Sequence, residues 1–516
     1  MDILCELRTD EPCCVAPINN SIFSLISKQV NPRNSKVASH HAIQEMTNRL
    51  YYNSSRSLIL RFFPAVLPFA ILILLVPAGC VLEQPGNISQ SEPDTPESFL
   101  LSWQRDPTST MTIDWYPEPG THPEMEYRRM REAERTDIDG AETRDARSHA
   151  VLEYRKLGEE EWARVDGDFI LVPGTDFGFR RTELTGLLPD QRYEFRFNRQ
   201  PPVYQFRTMP EQLTRPIRFV AGGDLMHHAQ WMARTAASVM RTEDADELDF
   251  AVIGGDLAYA DGVVRKVGRW YDYFQVWSEE MITSDNRVIP HIAAIGNHEV
   301  RQGYIYNYTP DQYLHPEFVR REAPYFSTFI PFPGPDAYGV LDFGDYLSLF
   351  LLDTGHATFI DGEQTEWLRR ELYQRGRVRH VIPVYHVAAW PSFRDSDNFL
   401  SAKIRNYWVP LFEKYGVRLA FENHEHTYKR THPIRNGRID ETGIHYVGDG
   451  AWGVRTRQIR TFDDGSRPWY LAEADSLRHF IMTEIDGDQI HLRMFEEHGS
   501  LIDQHSFTGG FSRGRP

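Results

Sequence analysis

Side chains able to bind metal ions follow five apolar runs of the sequence. In chain order they are Asp224, Asp256 with Tyr259, Asn297 with His298, His386, and His424 with His426. Carboxylate, phenol, amide and imidazole groups offer the oxygen and nitrogen atoms that many protein-bound metal ions prefer. A strand-ending turn would explain a single Gly-Asp pair, and packing would explain a single buried histidine. Five such positions in order, each after an apolar run, predict a metal site instead.

The apolar runs that carry these side chains alternate with amphipathic helical patterns from residue 217 onward. Such alternation indicates βαβ units and a mainly parallel sheet. The predicted helices span 228–241, 268–282, 365–375 and 399–415. Ligands gather at the carboxyl ends of strands in open α/β sheets, so side chains far apart in the sequence are expected to meet there. We therefore predict an α/β catalytic domain over residues 215–508, with a tail at 509–516.

A smaller all-β domain is predicted over residues 97–210. Its short β-rich runs, separated by Pro, Gly and Asp turns, are 99–103, 111–116, 151–156, 182–187, 193–197 and 203–207. Strands of this length and spacing indicate a sandwich, compatible with a fibronectin type III-like module. Residues 117–150 carry dense charges of both signs, which indicates a solvated insertion.

The first 96 residues carry targeting and linker patterns. Residues 1–61 show no sustained hydrophobic period and predict an unstructured leader, with Met46 as the suspected true start. Residues 62–82 are apolar and uncharged and contain Cys80, which fits a signal peptide, a membrane anchor or a lipidated cysteine. A linker pattern follows at 83–96. Each alternative places the later residues outside the cytoplasm, so we expect a secreted, periplasmic or membrane-anchored protein.

The net charge argues against one class of partner, and the cysteine positions exclude sulfur-based sites in the main body. The 516 residues carry a formal net charge of −17, which argues against nucleic acid as a partner. All four cysteines precede residue 81, so the main body can hold neither a disulfide framework nor a thiolate metal site. Any metal ion there must bind oxygen and nitrogen atoms. The oligomeric state is not defined by the sequence.

The order Gly-Asp, Gly-Asp-x-x-Tyr, Gly-Asn-His-Glu, His and His-x-His resembles the calcineurin-like metallophosphoesterase superfamily. Tyr259 narrows the resemblance to the purple acid phosphatase-like branch, and the similarity extends over about residues 97–508. It implies an α/β (α+β) metallophosphoesterase fold, with a layered β-sandwich core flanked by helices, behind the all-β domain. It also implies two metal ions that share Asp256. One site would take Asp224, Asp256, Tyr259 and His426, and the other would take Asp256, Asn297, His386 and His424.

The charges of the two ligand sets favour different ions. Two carboxylates and a phenolate suit a hard trivalent ion such as Fe(III), and tyrosinate on Fe(III) would colour the protein. Neutral nitrogens and an amide oxygen suit a divalent ion such as Zn, Fe or Mn.

The resemblance implies hydrolysis of small phosphate monoesters, an acid phosphatase activity, by in-line attack of metal-bound hydroxide on phosphorus. His298 would then contact the phosphate and protonate the leaving alcohol, and Asn297 would also contribute to substrate binding. Plant-type members place a further substrate-contacting histidine after the fourth motif, and residues 391–396 contain none. We hypothesise that Arg394 or His227 supplies the missing positive group. A surface arginine and a histidine at a helix start are the structural alternatives.

The sequence departs from the family pattern at two further positions. Met226 and Asn423 stand where the pattern usually has glycine.

Two rival functions stay open. The same metals would serve a phosphodiesterase or a nucleotidase. A rival from another class is a surface-anchored binding protein whose phosphoesterase domain is an inactive scaffold.

Overall fold

The computed structural model describes residues 96–116, 150–175, 177–334 and 337–510. The predicted leader, the apolar segment 62–82, the linker up to residue 95 and residues 117–149 of the charged insertion lie outside these ranges. The four cysteines and residues 511–516 of the tail do as well. No helix within the described ranges is long and apolar enough to cross a membrane. All the described residues belong to one compact unit.

In the described ranges before residue 210, eight strands form two four-stranded antiparallel sheets. They are β1 (Ser98–Ser102), β2 (Thr110–Tyr116), β3 (Leu152–Lys156), β4 (Ala163–Val165), β5 (Asp168–Leu171), β6 (Gly178–Thr185), β7 (Arg192–Phe197) and β8 (Gln200–Arg207). The sheet orders are β1-β2-β6-β5 and β4-β3-β7-β8. In β7, buried Tyr193, Phe195 and Phe197 alternate with half-exposed residues, as one-sided packing requires. The predicted all-β region is confirmed, although β4 and β5 are too short and exposed to show an apolar pattern.

The described residues from 217 onward form two larger mixed sheets and a short hairpin. Their strands are β9 (Ile217–Gly222), β10 (Phe250–Ile253), β11 (His291–Ala293), β12 (Gly339–Phe343), β13 (Leu347–Leu352), β14 (His380–Val387), β15 (Leu419–Asn423), β16 (Tyr428–Thr431), β17 (Ile434–Arg435), β18 (Arg438–Ile439), β19 (His445–Gly448), β20 (Leu471–Asp475), β21 (His479–Asp486), β22 (Gln489–Glu496) and β23 (Leu501–Thr508). The orders are β11-β10-β9-β21-β22-β23 and β12-β13-β14-β15-β19-β16-β20.

Among the described strands, parallel ladders form in two groups, β9-β10-β11 and β13-β14-β15-β19. Strands β21 to β23 extend the first sheet in antiparallel pairs. The sequence predicts a mainly parallel core, and this difference has a simple cause. Tight turns such as that at Gly487 can join only antiparallel neighbours, because a parallel pair needs a crossover of a dozen or more residues.

The helices lie on the outer faces of the two large sheets. They are α1 (Ala229–Val239), α2 (Gly268–Glu280), α3 (Pro310–Tyr313), α4 (Phe318–Glu322), α5 (Pro324–Phe329), α6 (Glu363–Gln374), α7 (Phe399–Tyr407) and α8 (Val409–Lys414). Between the sheets, Phe219 of β9 meets Phe421 of β15 edge to face, with ring centroids 6.0 Å apart. One buried cluster packs the first sheet against α1 and α2, and another packs the second sheet against α6, α7 and α8. The predicted layered core flanked by helices is therefore confirmed.

The helix predicted over residues 399–415 is wrong in one respect, because two helices occupy that range. Helix α7 ends at Tyr407 and α8 begins at Val409, with Pro410 in its first turn. Proline lacks an N–H and its ring clashes with the preceding helical turn, but it fits the first turn of a new helix.

Aromatic side chains join the sandwich to the larger sheets and to helix α2. Trp103 packs between Phe250 and Phe343, with ring centroids 6.2 and 6.0 Å away. Tyr116 stacks on Phe274 of α2 at 4.0 Å. Large buried aromatics of this kind dominate interface energetics, so the sandwich forms part of the core that supports the candidate site.

Candidate metal centre

Five chain segments converge where the parallel strands of both sheets end. Asp224 follows β9, Asp256 follows β10, and Asn297 lies in a turn after β11. His386 is close to the end of β14, and His424 directly follows β15. The carboxyl ends of these strands therefore bring together groups from residues 224 to 426, as the sequence pattern predicts.

The first group of potential ligands contains Asp224, Asp256, Tyr259 and His426. Potential ligand atoms of Asp224, Asp256 and His426 all lie within 4.8 Å of one another. His426 Nε2 is 2.9 Å from Asp224 Oδ1, and the Tyr259 hydroxyl lies 3.2 Å from that oxygen and 3.3 Å from His426 Nε2. Neighbouring ligands that each bind one ion at about 2.1 Å are expected at about this spacing.

The second group contains Asp256, Asn297, His386 and His424. His386 Nε2 lies 3.2 Å from Asp256 Oδ2, 3.2 Å from Asn297 Oδ1 and 3.0 Å from His424 Nδ1. The other ring nitrogen of His386, Nδ1, lies 2.9 Å from the Gly254 carbonyl oxygen, which fixes Nε2 toward the other donors. Asp256 is common to both groups.

The buried charges of these groups fit a pair of cations. Within the described residues, neither Asp224 nor Asp256 forms an ion pair with a lysine or arginine, and their only ionic neighbours are histidines. Two buried carboxylates without a strong counter-charge are costly. Burial acts to lower the pKa of the His386 imidazole. The Asp256 and Asp224 carboxylates outweigh burial and raise this pKa to about 9. The protein therefore favours positive charge at this position, as a metal site requires.

Five of the seven predicted ligands have a left-handed backbone conformation. Their φ angles are 55° for Asp224, 55° for Asp256, 56° for Tyr259, 79° for His424 and 59° for His426. Such angles are uncommon outside glycine and persist where the surrounding structure enforces them. Their concentration at one place is typical of a functional site.

His298 lies beside the ligands without belonging to either group. Its Nδ1 contacts Asp261 Oδ1 at 2.5 Å, and its Nε2 is 4.0 Å from Asp256 Oδ2, so Nε2 is directed toward the centre. Its side chain keeps 36% of its surface exposed. Burial lowers the pKa of His298, but Asp256 and the hydrogen bond to Asp261 outweigh it, so the net shift is upward. This imidazole can hold a proton next to the metal ligands.

Two carboxylates that position the site carry no role in the sequence-based prediction. Asp261, which also pairs with Lys266, orients the His298 ring. Glu299 accepts hydrogen bonds from the backbone N–H groups of Asp256, Leu257 and Gly296, at 2.9, 2.8 and 2.7 Å. Both follow a predicted ligand within five residues, so a search for acidic neighbours of the motifs would have found them.

Asn423 fills the space above two strand-ending glycines. A Cβ added to Gly254 would lie 1.6 Å from Asn423 Nδ2, and one added to Gly223 would lie 2.3 Å from Asn423 Oδ1. Asn423 Nδ2 donates to the carbonyl of Tyr385 at 3.0 Å. The unusual asparagine before His-x-His therefore braces the ends of β9, β10 and β14.

Gly254→Ala is expected to lower the free energy of unfolding by about 1–3 kcal/mol, because the added methyl overpacks the buried Asn423 amide. Adding Asn423→Gly should recover part of this loss, since the clash then disappears. Denaturant unfolding of both single variants and the double variant measures the coupling. Gly376→Ala is the matched control, because its Cβ would meet only one carbonyl oxygen, at 3.4 Å. Strictly additive effects at residues 254 and 423 would contradict the proposed contact.

Two of the four predicted substrate-binding residues, His227 and Arg394, lie beside different ligand groups. The His227 ring packs against Tyr259, with centroids 4.6 Å apart, and its Nδ1 accepts a hydrogen bond from the Arg455 N–H. Burial, followed by repulsion from His426, lowers the pKa of His227 to about 4. Arg394 Nη1 donates to Glu425 Oε1 at 2.6 Å and to the His424 carbonyl at 3.1 Å. Both assignments to substrate binding stay predictions.

Tyr304 and Arg457 also contact the second group, and the sequence motifs do not include them. The Tyr304 hydroxyl lies 3.2 Å from His424 Nε2. Arg457 Nη1 donates to the His424 carbonyl at 2.9 Å. Both come from irregular segments without a periodic pattern, and only the fold brings them to the centre.

Comparison with known proteins shows what this chain is similar to. Residues 217–428 match the family model described as calcineurin-like phosphoesterase. The chain is 26% identical over 308 residues to purple acid phosphatase 18 of Arabidopsis thaliana, which covers 58% of this chain and 63% of that protein. It is 25% identical over 328 residues to purple acid phosphatase 21 of the same plant, with coverages of 62% and 69%. The chain thus spans less than two thirds of the length of purple acid phosphatase 18.

The fold is similar to that of purple acid phosphatase PPD1 from yellow lupin (Lupinus luteus) seeds. The TM-score is 0.61 at 17% sequence identity, and the match covers 80% of this chain and 74% of the lupin chain. At this identity the likeness establishes the shared fold.

Proposed function

Because the chain carries a calcineurin-like phosphoesterase domain of the purple acid phosphatase-like branch, we propose that it hydrolyses phosphate monoesters at a two-metal centre. Membership in this family supports a metal-dependent phosphoesterase. The preference for monoesters, and hence acid phosphatase activity, is the proposal.

One observation carries the proposal, namely the two groups of buried ligand atoms that share Asp256 and face the His298 imidazole. Two metal ions held by these residues would polarise the phosphoryl group and supply a nucleophile from water. His298 Nε2 can hold a proton within reach of the same space, because Asp261 contacts the other ring nitrogen, Nδ1. When the bond between phosphorus and the ester oxygen breaks, that proton passes to the leaving alcohol.

The first group favours Fe(III), and the second favours a divalent ion such as Zn, Fe or Mn. Asp224, Asp256 and Tyr259 supply up to three negative charges, whereas Asn297, His386 and His424 are neutral donors. In the protein alone, burial and the two carboxylates raise the pKa of Tyr259 well above its usual value. The phenol therefore binds as phenolate only beside a strongly acidic ion.

Tyr259→Phe is expected to remove a visible absorption band, because that band would come from tyrosinate bound to Fe(III). The measurement combines an absorption spectrum with elemental analysis of the purified holoprotein. Tyr304→Phe is the matched control, since this tyrosine contacts the second group and should leave the band in place. A colourless wild type that holds two divalent ions would contradict the Fe(III) assignment.

The proposed activity is tested with a matched monoester and diester pair, such as 4-nitrophenyl phosphate and bis(4-nitrophenyl) phosphate. We expect the larger kcat/KM on the monoester. A larger value on the diester would favour a phosphodiesterase at the same centre. Intact metal occupancy without hydrolysis of any phosphate ester would favour a binding protein with an inactive phosphoesterase scaffold.

A further inference from the structure

Two arginines from different loops converge on one backbone oxygen beside the second ligand group. Arg394 Nη1 and Arg457 Nη1 donate to the carbonyl of His424 at 3.1 and 2.9 Å. The His424 ring itself faces the centre through Nδ1, 3.0 Å from His386 Nε2. Both guanidinium groups therefore lie against the backbone of a predicted metal ligand.

The two arginines differ in their counter-charges. Arg394 is paired with Glu425, which is only 1% exposed and also accepts the Arg394 backbone N–H. In the part of the chain that the structure describes, Arg457 forms no ion pair with any Asp or Glu side chain. Its guanidinium lies over the Phe393 ring, 5.4 Å from the centroid, and is half-buried. One of the two positive charges is thus neutralised inside the protein, and the other is not.

Neighbouring arginines of the same loop do not share this setting. Arg460 pairs with Asp395 at 3.1 Å, and Arg455 is exposed to solvent. Only one N–H of Arg457 is engaged by the His424 carbonyl, and the arginine side chain has five. The rest of this planar fork is suited to binding a phosphate or carboxylate through two hydrogen bonds.

We propose that Arg457 binds a second anionic group of the substrate. The preferred substrates are then phosphate esters whose alcohol carries a further phosphate or carboxylate. This inference rests on the proposed function, because the scissile phosphate must occupy the metal centre. Arg457 contacts the His424 carbonyl and not the ring nitrogen that faces the other ligands. We therefore assign it to a group on the leaving alcohol rather than to the phosphorus under attack. The Phe393 ring packs against the guanidinium, and this residue is itself 40% exposed.

The test uses a matched series of alkyl phosphates with chains of three and five carbons. The end remote from the phosphate carries a hydroxyl, a carboxylate or a second phosphate. Assays use the metal-loaded full chain, and metal content is measured for every variant. The variants are Arg457→Ala, Arg457→Lys and, as the control from the same loop, Arg460→Ala.

The wild type is expected to prefer the esters with a second anionic group. In Arg457→Ala, the loss of kcat/KM on these esters should exceed the loss on the hydroxyl esters by about 10- to 100-fold, mainly through KM, as expected for a charge-assisted hydrogen bond. Arg457→Lys should keep part of the preference, because it keeps the charge and loses the planar fork. Arg460→Ala should leave the preference unchanged. The carboxylate and phosphate arms show which anion the site takes.

Equal losses on all esters in Arg457→Ala would overturn the inference and leave Arg457 with only a positioning role for His424. A wild type that hydrolyses the hydroxyl esters without preferring either anionic series would overturn the inference alone. A wild type with full metal content that hydrolyses none of the esters would overturn the proposed function as well. The two failures are therefore distinguishable.

Discussion

Replacing Asp256 with alanine is expected to remove both metal ions and to lower kcat/KM by at least about 10³-fold. Asp256 is the one residue present in both groups of ligand atoms, so its loss weakens two sites at once. Charge stabilisation by bound metal ions is worth several kcal/mol in a transition state, and each 1.36 kcal/mol corresponds to a factor of ten in rate. Elemental analysis and a phosphate monoester assay on the same preparation measure the two effects together.

Single-site variants provide the matched comparison. Asp224→Ala and Asn297→Ala each remove a ligand from only one group, so each is expected to lower metal content by about one ion per chain. Asp256→Asn is a second test. In the structure the backbone N–H of His298 donates to Asp256 Oδ1 at 2.8 Å, and asparagine keeps an oxygen that can accept this hydrogen bond. The substitution removes only the negative charge. Full metal content in both Asp256 variants would refute its role as the shared ligand.

The convergence of the seven predicted ligands could be read from the sequence because each depends on a local pattern. An apolar run followed by a polar residue marks the end of a buried strand, and parallel strands bring their ends to one edge. The same rule works for Asp224 and His424, although 200 residues separate them, because β9 and β15 both carry this pattern. In the structure, the His424 N–H donates to Asp224 Oδ2 at 2.9 Å.

The features that the sequence could not predict depend on contacts between distant segments. Asn423 departs from the family pattern in the sequence, and only the structure shows its side chain over Gly223 and Gly254. Arg457 lies in an irregular loop with three other arginines, and its position beside His424 follows from how that loop folds. No local period distinguishes it from Arg460, which pairs with Asp395.

Residues that position a catalytic group are intermediate cases. The sequence shows that they lie close to a motif, but it does not show what they do. Asp261 stands five residues after Asp256 in the same loop. A carboxylate so placed can bind a metal, cap a turn or orient a neighbour, and the sequence does not choose among these roles. The contact between Asp261 Oδ1 and His298 Nδ1, at 2.5 Å, selects the third.

His298→Ala is expected to retain both metal ions and to lower kcat by about 10²- to 10⁴-fold, the range typical of general acid catalysis. Metal retention follows from the geometry, because the contact of residue 298 with Asp256 Oδ1 is made by its backbone N–H, which alanine keeps. The lost group is the imidazole whose Nε2 faces the centre. Kinetics and elemental analysis of the same preparation check both parts of the prediction.

The leaving group distinguishes proton donation from a structural role. An alkyl alcohol needs a proton as it departs, whereas 4-nitrophenolate is stable without one, so His298→Ala should lose more activity on an alkyl phosphate than on 4-nitrophenyl phosphate. Asp261→Asn should show the same pattern with a smaller loss, because the ring remains but is no longer held by a carboxylate. Equal losses on both esters would mean that His298 binds the phosphate without protonating the alcohol. Loss of metal in His298→Ala would mean instead that the imidazole belongs to the metal centre, and Asp261 would then orient a ligand rather than an acid.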